Sequence, residues 1–189
     1  MKRTFLAVKI IPGDRFSDTF NEIKSALQHE KIKWVETHNM HITLKFFGDT
    51  SDSEIDTIEK IVAPIARETP SFLVKVEGTG FFGKPRQPRV LWFGINDGSR
   101  LKNVGNHVLN ALEKAGFEKE RNEFNPHLTL GRIKFIKDIE LFREVIEDFR
   151  NEEIQESEIS EIILFESILH PGGPEYNPLR KFRLEKKKK

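Results

Sequence analysis

The amino-acid sequence predicts an α+β protein made of two pseudo-symmetric lobes that arose by internal duplication. The first observation is a repeated motif, His41-Ile42-Thr43-Leu44 and His127-Leu128-Thr129-Leu130. The second is its spacing, because Phe5 precedes His41 by 36 positions and Leu91 precedes His127 by 36 (41 − 5 and 127 − 91). The third is that both halves repeat the order strand, helix, motif strand, helix, strand. We therefore expect each lobe to be an antiparallel β-sheet with outer helices, and a ligand cleft between the lobes.

The first lobe, approximately residues 1–83, is expected to contain two helices and three strands. Apolar residues spaced three and four apart predict helices over 15–29 and 53–67, with Pro70 ending the second unit. Apolar runs and alternation predict strands over 5–10, 41–48 and 72–76. The stretch 83–89, rich in Gly, Pro and Arg, is predicted to be a linker or a basic binding loop.

The second lobe, approximately residues 90–170, repeats this order. Helices are predicted over 99–114 and 138–149, and strands over 90–95, along the second motif, and over 159–169. We expect a turn at 97–99 and an edge strand over 179–184. All of 1–189 is expected to be a single domain, with exchange of strands between the lobes allowed and a basic tail at 186–189.

Composition excludes several classes of protein. The chain has a formal net charge of +1, which gives no overall attraction to nucleic acid, so a basic surface has to be local. Cysteine is absent, which excludes disulfides, thiolate metal sites and cysteine nucleophiles. No apolar run approaches the ~20 residues that span a bilayer. We expect a cytoplasmic monomer with no membrane partner.

The two motifs present chemistry on one face of each strand. Alternation places His41 with Thr43, and His127 with Thr129, opposite the apolar residues that anchor each strand. Imidazole gives or takes a proton near neutral pH, so a pair supplies both an acid and a base. Threonine hydroxyls donate to oxyanions such as phosphate. Threonine is a poor zinc ligand, and we expect no metal or other cofactor.

Two residues that follow the motifs are further candidates. Arg132 and Phe46 each lie five positions after a motif histidine, and strict alternation would turn both away from the site. A bulge, for which Gly131 is the obvious place, would bring Arg132 back as a phosphate clamp. Phe46 is either a core residue or a platform on which a base stacks.

Each motif alone also fits an ordinary strand with a surface histidine, and the paired histidines alone also fit a zinc site. The duplicated register favours a shared catalytic site over both of these interpretations.

The stretches around the two motifs resemble those of a known family. The stretches 39–48 and 124–132, each centred on a His-x-Thr motif, are similar to the signature of the 2H phosphoesterase superfamily. Their wider context, together with Phe81-Phe82-Gly83 and 88–92, resembles its RNA 2′,3′-cyclic phosphodiesterase branch, first described as 2′-5′ RNA ligase. The similarity covers nearly the whole chain.

The resemblance implies metal-independent hydrolysis of a terminal 2′,3′-cyclic phosphate on RNA to a 2′-phosphate, and a related 2′-5′ ligation to a 5′-hydroxyl end. It implies His41 and His127 as the proton-transfer pair, Thr43 and Thr129 on the phosphate, and Arg132 and Phe46 as substrate contacts. Our assignment takes His41 as the acid and His127 as the base. The implied partners are RNA ends, tRNA halves among them, or cyclic nucleotides. The alternatives are an enzyme acting on a small cyclic nucleotide or ADP-ribose cyclic phosphate, or a catalytically idle RNA- or nucleotide-binding module.

Overall fold

A computed structural model describes residues 1–96 and 99–186. Asp97 and Gly98 of the predicted turn, and the last three lysines of the predicted tail, lie outside the described residues. The strands in the described part are β1 Lys2–Lys9, β2 Lys31–Trp34, β3 His41–Thr50, β4 Phe72–Lys84, β5 Gln87–Asn96, β6 His127–Phe135, β7 Glu153–Ile159, β8 Glu161–His170 and β9 Gly173–Arg183. The helices are α1 Asp14–Ala26, α2 Asp52–Glu68, α3 Arg100–Lys114 and α4 Ile139–Asp148, with a 3₁₀ turn at Thr37–Asn39.

The strands form two antiparallel sheets. The four-stranded sheet has the order β3-β1-β8-β9, and the five-stranded sheet has the order β2-β6-β5-β4-β7. Each motif strand therefore lies in a different sheet, next to the first strand of its own half. The predicted α+β class with two antiparallel sheets is confirmed. No helix of the described residues is long and apolar enough to cross a membrane.

The two halves exchange strands. β1 lies between β3, from its own half, and β8, from the second half. In the other sheet, β5 lies between β6, from its own half, and β4, from the first half. This is the exchange of strands that the sequence left open, and neither sheet is a contiguous stretch of chain. The cause is the β4–β5 hairpin: antiparallel strands joined by a two-residue turn must pair with each other, and Lys84 pairs with Gln87. The stretch 83–89 contains this hairpin turn and is therefore not a linker between lobes; the alternative, a basic binding loop, stays a prediction.

The internal repeat is offset by one residue from the spacing found in the sequence. Leu6 pairs with Lys45, and Leu91 pairs with Gly131, at equivalent places after the two motifs. Leu6 and Leu91 are both fully buried in the main core, whereas Phe5 packs in a small cluster on the opposite face of its sheet. Leu6, not Phe5, is therefore the counterpart of Leu91.

One large core joins the two sheets and the helices. Each helix contributes an apolar face, for example Phe16 from α1, Ile58 from α2, Val108 from α3 and Phe142 from α4, all fully buried. A capping box begins α2, where the Ser51 side chain accepts from the backbone N–H at the third helical position. Packing of these faces, rather than helix propensity, holds the four helices in place.

Two strands were missed by the sequence analysis. β2 has only four residues, which is too short for alternation to stand out, and β7 is a charged strand at the edge of the five-stranded sheet. Charged residues are typical of edge strands because they discourage pairing with other chains. The β-segment predicted over 159–169 is divided at Ser160, where β7 ends and β8 begins.

Candidate active site

The two motif strands present their histidines and threonines as alternation predicts. On β3, Ile42 and Leu44 are buried in the core while Thr43 is exposed and His41 is half-buried. On β6, Leu128 and Leu130 are fully buried, and His127 and Thr129 are half-buried. β3 and β6 also contact each other, although they belong to different sheets. The apolar residues thus fix the backbone from the core side and leave the polar residues on the open side.

Both imidazoles are held in the same way. Nδ1 of His41 lies 2.6 Å from the backbone oxygen of Asn39, and Nδ1 of His127 lies 2.8 Å from the backbone oxygen of Asn125. A carbonyl oxygen only accepts, so we assign the proton to Nδ1 in both rings. Each neutral ring therefore has its Nε2 lone pair free to exchange a proton with a ligand.

The His41 ring packs against two aromatic rings. Its ring centroid lies 4.9 Å from that of Phe5 and 5.2 Å from that of Tyr176, which meets it edge-on. Burial lowers the pKa of His41, while the hydrogen bond to the Asn39 carbonyl opposes this shift. The positive charges of Arg132 and His127 lower the pKa of His41 further.

His127 has a matching environment in the other sheet. Phe82 meets its ring edge-on at a centroid distance of 4.7 Å, and Trp92 lies 6.5 Å away. Burial lowers the pKa of His127, the hydrogen bond to Asn125 opposes the shift, and Arg132 lowers it further. Arg132 therefore lowers the pKa of both imidazoles, and the charge of His127 lowers that of His41.

A β-bulge lies at the last residue of each motif. On β6, Thr129 pairs with Trp92 and Gly131 with Leu91, which leaves Leu130 as the extra residue. On β3, Thr43 pairs with Ala7 and Lys45 with Leu6, which leaves Leu44 as the extra residue. A bulge of one residue reverses the alternation beyond it.

The bulges return Arg132 and Phe46 to the side of the site. Arg132 is exposed, and its positive charge lowers the pKa of both imidazoles. Phe46 is 48% exposed and is therefore not a core residue. The guanidinium carbon of Arg3 lies 4.8 Å from the centroid of the Phe46 ring, a cation–π contact that leaves much of the ring open.

Tyr176 was not found by the sequence analysis. It lies on β9, and its ring packs against both His41 and Phe5. The β8–β9 hairpin that carries it is tied to the first motif, since Nδ2 of Asn39 donates to the backbone oxygen of Pro174 at 3.1 Å. Burial raises the pKa of the Tyr176 phenol, so its hydroxyl stays protonated and able to donate. The available signal was that Tyr176 is the single tyrosine in a chain with 16 phenylalanines.

Three aromatic residues lie near the second motif. Phe81 does pack against the core, but Phe82 is 36% exposed and contacts His127, and Trp92 pairs with Thr129 on the side of the site. Gly80 makes room for the indole, because a Cβ there would lie 2.2 Å from Cη2 of Trp92. Phe82 and Trp92 therefore lie beside the His127 ring.

The other histidines lie elsewhere. His38 is exposed in the 3₁₀ turn, and His170 lies 3.1 Å from the Glu175 carboxylate at the β8–β9 turn. Within 1–96 and 99–186, no three His, Asp or Glu side chains are grouped so that they could hold a metal ion.

The chain is similar to known proteins over nearly its whole length. The family model described as "LigT like Phosphoesterase" matches residues 10–92 and again 94–176, once for each half of the repeat. A protein of Methanothermobacter thermautotrophicus named RNA 2′,3′-cyclic phosphodiesterase is 35% identical over 96% of this chain and 98% of its own. A protein of Aquifex aeolicus with the same name is 33% identical over 94% of this chain and 97% of its own.

Solved structures have the same fold. A Thermus thermophilus protein superposes with a TM-score of 0.78 at 23% identity, covering 98% of this chain and all of its own. The LigT protein of E. coli, solved in complex with 3′-AMP, gives 0.76 at 20% identity, covering 97% of this chain and 98% of its own. The duplicated motif, its paired sheets and the full-length relatives agree, and the chain belongs to the LigT-like phosphoesterase family of the 2H superfamily.

Proposed function

We propose that this protein hydrolyses the 2′,3′-cyclic phosphate at the 3′ end of RNA and leaves a 2′-phosphate. The observation that carries the proposal is the matched pair of imidazoles on the contacting strands β3 and β6, each with Nδ1 bonded to a backbone carbonyl, which leaves the Nε2 lone pair to exchange a proton. A binding module has no need of two titratable groups held in this way. The curated relatives that match over nearly their full length are named RNA 2′,3′-cyclic phosphodiesterase, which supports the proposal.

In the proposed reaction, His127 takes a proton from water as its oxygen attacks phosphorus, and the P–O3′ bond breaks. His41 gives a proton to the departing O3′, so the products are a 2′-phosphate and a 3′-hydroxyl. The lowered pKa of His127 keeps this ring neutral and ready to act as a base. The negative charge of the bound phosphate favours the protonated form of His41, which the acid step requires.

The remaining candidates hold the substrate. Thr43 and Thr129 lie on the same strand faces as the two histidines and donate to the nonbridging oxygens. The Arg132 guanidinium balances the charge that grows on those oxygens. The open face of Phe46 receives the terminal base.

The same geometry accounts for a ligation reaction. If a 5′-hydroxyl of a second RNA replaces water, its oxygen attacks phosphorus, O3′ leaves as before, and a 2′-5′ linkage results. Neither reaction needs a metal ion in this scheme, because the base, the acid and the charge-balancing groups are all side chains of the chain itself.

The test uses an oligoribonucleotide that ends in a 2′,3′-cyclic phosphate, incubated with the protein in the presence of EDTA. The product is compared by chromatography with synthetic 2′-phosphate and 3′-phosphate standards. We expect the 2′-phosphate at an undiminished rate. A 3′-phosphate product would contradict the assignment of the leaving oxygen, and loss of activity with EDTA would contradict metal independence.

A further inference from the structure

One end of the five-stranded sheet is basic although the whole protein is nearly neutral. The adjacent segments 31–34, 84–92 and 127–135 contain no Asp or Glu, whereas the chain as a whole has 31 basic and 30 acidic residues. The basic residues of these segments are Lys31, Lys33, Lys84, Arg86, Arg89, Arg132 and Lys134. The sheet topology brings them together, because β2, β6, β5 and β4 are neighbours in that order.

These basic residues are not paired with carboxylates. Elsewhere, cations such as Lys2, Arg15 and Arg180 form ion pairs with acidic partners. Across the part of the chain that the structure describes, none of the seven residues named above has a carboxylate oxygen within 4.0 Å of its charged nitrogens. Glu30 precedes β2, but its carboxylate accepts from the backbone N–H groups of Lys137 and Asp138. Unpaired positive charge of this kind is available to an anionic ligand.

Four of these cations continue the surface that carries the second motif. Ile32 and Trp34 pack against the core, so Lys31 and Lys33 lie on the opposite face of β2. Lys33 pairs directly with Arg132, and residues directly opposite each other in a sheet project to the same face. We call Lys31, Lys33, Arg132, Lys134 and the neighbouring Phe135 the basic strip.

Phe135 gives the strip a second property. It is 59% exposed, and it pairs with Lys31 at the end of the strip farther from His127. An exposed aromatic ring among cations is the arrangement with which proteins bind single-stranded nucleic acid, because a base stacks on the ring while phosphates contact the cations. A duplex keeps its bases stacked on each other and cannot use such a ring.

The geometry of the sheet sets the spacing of the cations. Side chains two residues apart on one strand are ~6.6 Å apart, and directly opposite residues are on neighbouring strands ~4.8 Å apart. The strip begins at Arg132, close to the reacting phosphate, and extends along β2 and β6 away from His127. Successive phosphates of one RNA strand can therefore contact successive cations of the sheet.

We infer that the basic strip binds the single-stranded RNA on the 5′ side of the reacting nucleotide, so that the preferred substrate is a polynucleotide end and not a mononucleotide. The inference rests on the proposed function, because it takes the reacting end to lie between the two motif histidines. Phosphates on the 5′ side contact Lys33, Lys31 and Lys134, and an unpaired base stacks on Phe135.

The test compares two substrates with the same 3′-terminal nucleoside: a nucleoside 2′,3′-cyclic phosphate and a short oligoribonucleotide ending in that group. The variant K31E/K33E reverses two charges of the strip, and K60E/R67E makes the same charge change at exposed positions of α2 as a matched control. We expect K31E/K33E to lose about tenfold or more of kcat/KM on the oligonucleotide and to keep its activity on the mononucleotide. The slope of log(kcat/KM) against log[salt] should become less steep by about 1.4, because each phosphate that is no longer neutralised lowers the slope by ~0.7. F135A should lose about fivefold on the oligonucleotide alone.

Three results would overturn the inference: equal effects of K31E/K33E on both substrates, the same loss in K60E/R67E, or equally good binding of duplex RNA. A wild-type protein inactive on both substrates would instead refute the proposed function. In that case, fluorescence anisotropy with a 3′-hydroxyl oligoribonucleotide tests the strip by itself. Weaker, less salt-dependent binding by K31E/K33E supports it, and unchanged binding refutes it.

Discussion

Replacing each motif histidine by asparagine separates proton transfer from folding. The Asn side-chain amide can donate to the backbone oxygen that now accepts from Nδ1, at 2.6 Å in His41 and 2.8 Å in His127, but it offers nothing in place of Nε2. Loss of general acid–base catalysis costs ~10²–10⁴ in rate. At ~1.36 kcal/mol for each factor of ten, this corresponds to ~2.7–5.4 kcal/mol of transition-state stabilisation.

The expected stability change is much smaller. If the amide restores only part of the tethering hydrogen bond, the loss is at most ~1 kcal/mol, which for a chain of this size is ~2–4 °C in Tm. Single-turnover rates on an RNA 2′,3′-cyclic phosphate give the catalytic loss, and thermal unfolding gives the stability. His38→Asn is the matched control, because His38 is exposed and lies three positions before His41; its rate should be unchanged.

The double variant H41N/H127N gives the sharper result. In the proposed mechanism both rings serve one transition state, so once one proton transfer is lost, losing the other adds little. We expect the double variant to be within about tenfold of the slower single variant. Losses that multiply, or near-normal turnover in either single variant, would refute the shared role of the two imidazoles.

Two further predictions concern the surroundings of the histidines, and a third concerns the stability of the fold. Arg132→Gln removes a positive charge that lowers the pKa of both imidazoles, so both limbs of the pH profile of kcat/KM should move to higher pH; an unmoved profile would contradict the electrostatic coupling. Tyr176→Phe should leave Tm unchanged, since no hydrogen bond to the hydroxyl is seen in the described residues, but lower kcat/KM about tenfold if the hydroxyl donates to the phosphate. Glu120→Gln should destabilise the fold by ~1–3 kcal/mol, measured by unfolding in denaturant. The reason is that Glu120 is the charged partner of Lys45, which is 5% exposed and bonds Glu120 at 2.7 Å. An unchanged unfolding midpoint would show that the backbone oxygen of Glu118 is a sufficient partner for Lys45.

The sequence predicted the parts of the site that depend on local pattern. Alternation around His41 and His127 is a local property, so their faces followed from the residues themselves. The place of Arg132 depended on a bulge, which is defined by pairing with another strand and could only be anticipated from Gly131. Tyr176 reaches His41 through a hairpin from the far end of the chain, and no local pattern reports such a contact.

The errors in the fold have the same origin. A hairpin turn and a flexible linker have similar composition, so the Gly- and Pro-rich stretch at 83–89 did not reveal that β4 and β5 pair. The exchange of β4 and β8 follows from that pairing and was left open by the sequence. The repeat offset at Leu6 and Leu91 required the ladder registers, because equal spacing along the chain does not fix which residues face the core.

The exchange of β4 and β8 makes the two halves of the molecule mutually dependent. A chain cut between Pro85 and Arg86 would give one fragment without the inner neighbour of β1 and another without the inner neighbour of β5. Each fragment would expose an unpaired inner strand edge, which favours aggregation over folding. Mixed together, the fragments can complete both sheets only by associating, so reconstitution of a split protein would report on the intertwined architecture directly.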